Sequence, residues 1–272
     1  MLRPNFLVFI FAVLLLSCNN SPKNAVVNSP VIIKPMDTIH TGLITEDTLH
    51  LPFDTAYPQS ILVSNVLLHG DEVPLDAESQ DWYGLFKSGN HYYVDTTKIK
   101  IQICWDMIVD PDDSSERTGK FVHTLHKDTA VLLIAKATLP QGYATENLIK
   151  PQRFIYPEED TLTYKSRGIT YKLYATALKG FSEHYSDTGY FNYRLYLSAI
   201  KEGKMVTQLL IATPHLQFET IDFIGDIDGD GVPDIIFYLT GEDESVPTLF
   251  LSRNAGPNTL LKAVAQSIYV GC

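Results

Sequence analysis

The sequence predicts a mainly β protein of antiparallel sheets and hairpins, sandwich or barrel-like, with minor helix. Three observations point there. Tyr (15) and Phe (13) are abundant in the 272 residues, and aromatic side chains favour strands. Polar and apolar residues alternate in Tyr193-Arg194-Leu195-Tyr196-Leu197 and in Tyr171-Lys172-Leu173-Tyr174, the period of a half-buried antiparallel sheet. No long stretch carries a clean 3.6-residue period.

Taken in order, "SILVSNVLLHG" (60–70) opens the folded part. "DWYGLF" (81–86) and "HYYVDTTKIKIQICW" (91–105) flank "KSGN", a hairpin-type turn. Asp110 to Lys120 is a polar loop. "TAVLLIAKATL" (129–139) is short and β-branched, which favours strand over buried helix. Pro140 to Asp160 has the punctuation of a long connection. "TLTYKSRGITYKLYATAL" (161–178) and "YFNYRLYLSAI" (190–200) are strand-like, and "KEGK" (201–204) turns the chain into "MVTQLLIAT" (205–213). "TLLKAVAQSIY" (259–269) suits a helix nearly as well as a strand. The expected domain is 59–272, continuous or subdivided near 150–160.

The first seventeen residues stand apart from that domain. Arg3 precedes Phe6 to Leu16, an unbroken apolar run of eleven. A spanning helix needs roughly 20 apolar residues, so the run has the length of a signal-peptide core. Leu15-Leu16-Ser17-Cys18 resembles the bacterial lipobox, with Leu16 where a small residue is more usual. The resemblance implies cleavage before Cys18, lipidation of Cys18, and stable anchoring in the cell envelope, at the outer membrane where there is one. Residues 18–58, rich in Asn, Ser, Pro and Thr, then form a flexible tether.

The net charge of −11 argues against nucleic acid as a partner, because phosphate backbones need a basic face. An oxidising compartment allows a bond between Cys104 and Cys272, but Cys104 lies in an apolar run and suits a buried free thiol equally.

The feature with chemistry is Gly225 to Ile236, "GDIDGDGVPDII". Asp226, Asp228 and Asp230 alternate, so a curled chain aims their oxygens at one centre. Gly229 and Gly231 supply the positive φ that the curl needs. The backbone carbonyl of Val232 and the carboxylate of Asp234 complete the set. Such hard oxygen ligands suit Ca²⁺ better than Mg²⁺ or Zn²⁺, and a cation offsets the repulsion between four carboxylates. The spacing matches the first nine positions of an EF-hand loop, but Phe237 stands at the twelfth, and the flanks "FETIDFI" (218–224) and "IIFYLT" (235–240) are strand-like.

This strand–loop–strand context resembles the FG-GAP, or VCBS, repeat family over about Phe223 to Asn254. It includes Pro233-Asp234-Ile235 after the loop and "PTLFLS" (247–252) before a turn. The resemblance implies calcium ligation by Asp226, Asp228, Asp230, Val232 and Asp234. It does not extend to a full β-propeller, which repeats its motif over at least four blades. The one other alternating segment, Asp110, Asp112, Ser114 and Glu116, lacks the glycine.

The sequence holds no H-E-x-x-H, G-x-S-x-G, Walker or G-x-G-x-x-G motif. His123 and His126 fall on opposite sides of a strand. Ser182, Glu183 and His184 are neighbours rather than a triad. Glu242, Asp243 and Glu244 suit a solvated loop or an extra ligand. Trp82, Tyr83, Tyr92 and Tyr93 suit cross-strand packing or stacking on a sugar. Three functional classes follow. One is a non-catalytic binding or structural module with a protein or glycan partner. Another is an envelope hydrolase whose carboxylates meet only in the fold. The third is an accessory or inhibitory subunit of an envelope protein.

Overall fold

The computed structural model describes residues 50–51, 56–111, 115–151, 153–157, 159–182, 187–215, 218–240 and 244–270. All lie in the second of two units into which the chain divides, Asp37–Cys272. Residues 1–49, including Cys18, lie outside the described residues, as do Asp112, Ser114, Glu183, His184, Glu242, Asp243 and Cys272.

The described residues form seventeen strands and no helix. The N-terminal part holds β1 (Ser60–Leu62), β2 (Leu67–Leu68), β3 (Trp82–Ser88), β4 (His91–Thr97), β5 (Ile99–Cys104), β6 (Gly119–Thr124), β7 (Thr129–Ala135) and β8 (Tyr143–Thr145). Then come β9 (Thr161–Ser166), β10 (Ile169–Ser182), β11 (Asp187–Lys201) and β12 (Lys204–His215). Last are β13 (Phe218–Gly225), β14 (Asp234–Thr240), β15 (Glu244–Leu251), β16 (Lys262–Gln266) and β17 (Tyr269–Val270). The ambiguous segment 259–269 thus contains strand β16 and the start of β17, because Lys262–Gln266 pairs along β15 and contributes to two cores, Ala263 to one and Val264 and Ala265 to the other.

Pairing is antiparallel throughout and makes four sheets, ordered β1-β7-β3-β4-β8, β2-β6-β5, β12-β11-β10-β9 and β13-β14-β15-β16, with β17 also on β15. None closes into a barrel or propeller. The hairpin turns carry their own warrant. Ser88 pairs with His91 and Lys201 with Lys204, and Glu202 and Gly203 both have positive φ, as two-residue hairpins with primed turns require. The run 161–178 hides a third such turn at Arg167-Gly168 (φ 45° and 79°), which separates β9 from β10.

Three cores set how the sheets stack. Leu173, Tyr193, Leu195 and Leu197 of the β9–β12 sheet pack on Ile235, Phe237 and Phe250 of the β13–β16 sheet. The other face of that sheet (Ile236, Leu249, Val264) packs on Leu85, Val94, Leu132 and Ile134. The opposite face of this N-terminal sheet (Trp82, Phe86, Leu133) packs on Leu68, Ile99 and Val122 of the β2-β6-β5 sheet. The result is four layers in series, and the two inner layers bury both faces. That accounts for the near-continuous apolar runs of β14 and β7, since residues of both parities meet a core.

The stack also separates the aromatic hairpin residues. Tyr83 and Tyr92 join one core, while Trp82 and Tyr93 join the next. Trp82 donates its indole N–H to the Ala77 carbonyl at 2.8 Å. These rings are packing residues. Leu51, within the expected tether, exchanges both backbone hydrogen bonds with Ala212 on the edge strand β12 (3.0 and 3.3 Å).

A candidate cation-binding loop

Residues 226–233 join β13 to β14, and Gly225 pairing with Asp234 closes the ladder beneath them. Gly229 (φ 75°) and Gly231 (φ 84°) take the left-handed conformations expected. The loop is pinned from within: Ile227 is buried in the core on one side of its sheet, and Val232 packs against the core on the other. Between these two apolar anchors Asp228 turns inward, whereas Asp230 stays half-buried. Gly225 permits a close approach, because a Cβ there would stand 2.1 Å from the Glu146 carbonyl oxygen.

The structure brings carboxylate oxygens of Asp226, Asp228 and Asp234 within 4.8 Å of one another, and Asp228 and Asp234 are buried. Most of their oxygens are held by amides of the loop itself. Asp226 accepts from Gly229 N and Gly231 N, each at 2.7 Å. Asp234 accepts from Ile227 N (2.7 Å), Asp228 N (3.2 Å) and Ser252 N (2.7 Å). Asp230 lies outside the three-carboxylate group; it accepts from Val232 N at 2.7 Å and from the Ser252 hydroxyl at 3.0 Å. The Val232 carbonyl stands 3.5 Å from that hydroxyl. Asp228 Oδ1 accepts from Asp230 N at 3.2 Å, and its Oδ2 is buried with no hydrogen-bond partner among the described residues.

Side chains from three layers clasp the loop. Tyr143 on β8 donates its hydroxyl to Asp226 at 2.6 Å. Arg167, in the β9–β10 turn, donates to the Asp230 carbonyl at 3.0 Å and lies over Gly231, where any Cβ would meet its guanidinium. Arg253 donates to the Asp228 carbonyl at 2.6 Å and stands 3.7 Å from Asp228 Oδ1. The sequence reading did not name Tyr143, Arg167, Ser252 or Arg253 as site residues, because they lie 18 to 83 positions from the loop atoms they bond.

The electrostatics follow burial. Burial, then the Asp230 charge, raises the Asp228 carboxyl above the usual range despite Arg253. Burial and the Asp228 charge raise Asp234 well above it. The hydrogen bond to Asp226, with burial, pushes the Tyr143 phenol up to about 12. A buried carboxylate oxygen without a donor is costly in a protein interior. A hard cation relieves it, and the set is all oxygen, with neither His nor Cys in it.

The other candidates do not converge. His123 Nε2 bonds the Gln102 side chain at 3.2 Å, while the His126 ring stacks on Phe86. Asp110 is committed to the Asp106 amide and to Thr118. Cys104 is a free, half-buried thiol, pushed up by burial. No family model, curated protein or solved structure matches this chain.

Proposed function

We propose that the chain is a lipid-anchored protein of the bacterial cell envelope whose loop Asp226–Asp234 holds one structural Ca²⁺. The domain is a non-catalytic binding or structural module for a protein or glycan partner. The observation that carries the ion is the buried Asp228 Oδ2, which has no donor, on a carboxylate that groups with those of Asp226 and Asp234. Asp226, Asp228, Asp230, Asp234 and the Val232 carbonyl are the ligands, as the likeness to the FG-GAP/VCBS loop implies. Bound there, the ion neutralises buried charge and fixes the β13–β14 hairpin between its flanking sheets. The clasps from Tyr143 and Arg167 carry that stiffening to the neighbouring layers. Anchoring through Cys18 rests on the lipobox and the preceding apolar run.

The test is a thermal melt of the full chain in detergent with excess EGTA, then in millimolar Ca²⁺ or Mg²⁺. A rise of several degrees in Ca²⁺ alone is expected. Identical melting in all three would reduce the loop to an acidic turn.

A further inference from the structure

Trp105 to Asp110, which follow β5, are folded inside out. Asp106 and Asp110 are 0% and 5% exposed, while their apolar neighbours Trp105, Met107, Ile108 and Val109 are 40%, 59%, 60% and 56% exposed. Burial normally sorts these residue types the other way. The inversion is held by specific bonds. Asp106 Oδ1 accepts from Ile108 N (3.0 Å) and Val109 N (3.2 Å), its amide donates to Asp110 Oδ2 (2.8 Å), and its other oxygen meets buried His69. Thr118 closes the loop through its amide and hydroxyl to Asp110. The inward-facing row of β5 runs out into the same patch. Ile99 is 4% exposed beneath the neighbouring sheet, but Ile103 is 55% exposed. A buried polar scaffold thus presents five large apolar side chains and no exposed charged one between Ile103 and Val109. Exposed large apolar side chains concentrated in this way point to an interaction site.

We propose that this loop is a membrane-contact tip that seats the anchored domain on the surface of a bilayer. Its composition fits the interface, where Trp sits at headgroup level beside aliphatic side chains. The tether geometry fits as well. Leu51 pairs with β12 in the outermost sheet at one end of the stack, and the tip follows β5 of the sheet at the other end. Sheets pack about 10 Å apart, so four layers separate these points by roughly 30 Å. Roughly thirty residues separate Cys18 from Leu51, and a flexible chain of that length has an average reach of about 30 Å. A linker is most effective when its reach matches the span. The acidic chain (−11) is repelled by anionic lipid, so the fitting surface is zwitterionic. The proposal rests on anchoring at Cys18, and the test separates the two.

The experiment reconstitutes the full chain in phosphatidylcholine vesicles with brominated acyl chains and measures flotation and tryptophan quenching. The protein has two tryptophans, and Trp82 is buried. Trp105→Phe therefore isolates the Trp82 signal. Expected is co-flotation with quenching of the Trp105 component. Ile108→Asp, at an exposed site, should still float but shift the docked-to-undocked ratio about tenfold against docking. If Ile108→Asp also abolishes flotation, the tip binds lipid while the anchor reading fails. Flotation with no quenching of Trp105 overturns the tip and leaves the anchor. No flotation and no quenching overturns both. Concentration-dependent shielding of Trp105 that lipid does not change assigns the loop to a second copy or another protein and overturns the proposal.

Discussion

Asp228→Asn separates the cost of the aspartate loop from its purpose. The substitution keeps the shape and removes a charge whose Oδ2 is buried without a donor. In EGTA the wild-type protein carries that cost. An unsatisfied buried polar group costs about 1–3 kcal/mol, and more when charged. Arg253, 3.7 Å away and half exposed, offsets only part of it. The variant should therefore melt at or above the wild-type temperature in EGTA. In calcium the order reverses. Extracellular calcium sites bind at about 0.1–1 mM, so 10 mM Ca²⁺ should stabilise the wild type by about 1.4–2.7 kcal/mol if the loop is such a site. For a domain of this size that is about 3–11 °C. The variant should gain little. The assay is melting followed by near-ultraviolet circular dichroism, at one protein concentration, with and without calcium. A calcium shift equal in both proteins would refute the assignment of Asp228. A variant less stable than wild type in EGTA would refute the claim that its charge is uncompensated.

Two further outcomes follow from the packing. Gly225→Ala should lower stability by about 1–3 kcal/mol with or without calcium, because its Cβ would lie 2.1 Å from the Glu146 carbonyl and 2.7 Å from the Phe223 ring; unchanged urea unfolding would contradict it. The His69–Asp106 pair should make stability pH-dependent. Its hydrogen bond with Asp106 raises His69 above 6.5 against the opposing effect of burial, so its contribution is complete below about 6.5 and is lost as pH rises through the raised value. Burial alone would raise Asp106, but the bonds from His69 and the Ile108 and Val109 amides hold it below 3.8, so its contribution is lost only as pH falls through that lower value. The pair thus contributes most between about pH 4 and 6.5. His69→Gln should cost about 1.5–3 kcal/mol at pH 6 and flatten the decline between pH 6 and 9 in urea titrations; an identical decline in both proteins would exclude the pair as its source.

Much of the fold was legible because a half-buried strand writes its period into the chain. β11, β13, β14 and the "KSGN" and "KEGK" turns fall where alternation and turn residues placed them. The run 91–105 was harder. It divides at Lys98 into β4 and β5, which belong to different sheets, and nothing in a continuous strand pattern marks a change of partner. Arg167-Gly168 hid a hairpin, because arginine is an unusual residue for a positive φ. The strand character of 259–269 came from pairing with β15, a contact local propensity cannot encode.

The candidate site divides in the same way. Its acids, their spacing and the two glycines are local, but of the alternating three only Asp226 and Asp228 converge, with Asp234, while Asp230 lies outside the group. The sequence by itself therefore determined the β class, the aspartate loop, and the apolar N-terminal run, Phe6 to Leu16, that precedes Cys18. Only the tertiary structure decided that Asp228 and Asp234 are buried, that Ile227 and Val232 pin the loop into two cores, and that Tyr143, Arg167 and Ser252 clasp it. It also decided that Asp106 turns inward while Trp105 and Ile108 face outward, against their hydropathy. The physical reason is common to both cases. Burial and partnership depend on which sheets stack on which, and that order is set by contacts between residues far apart in the chain.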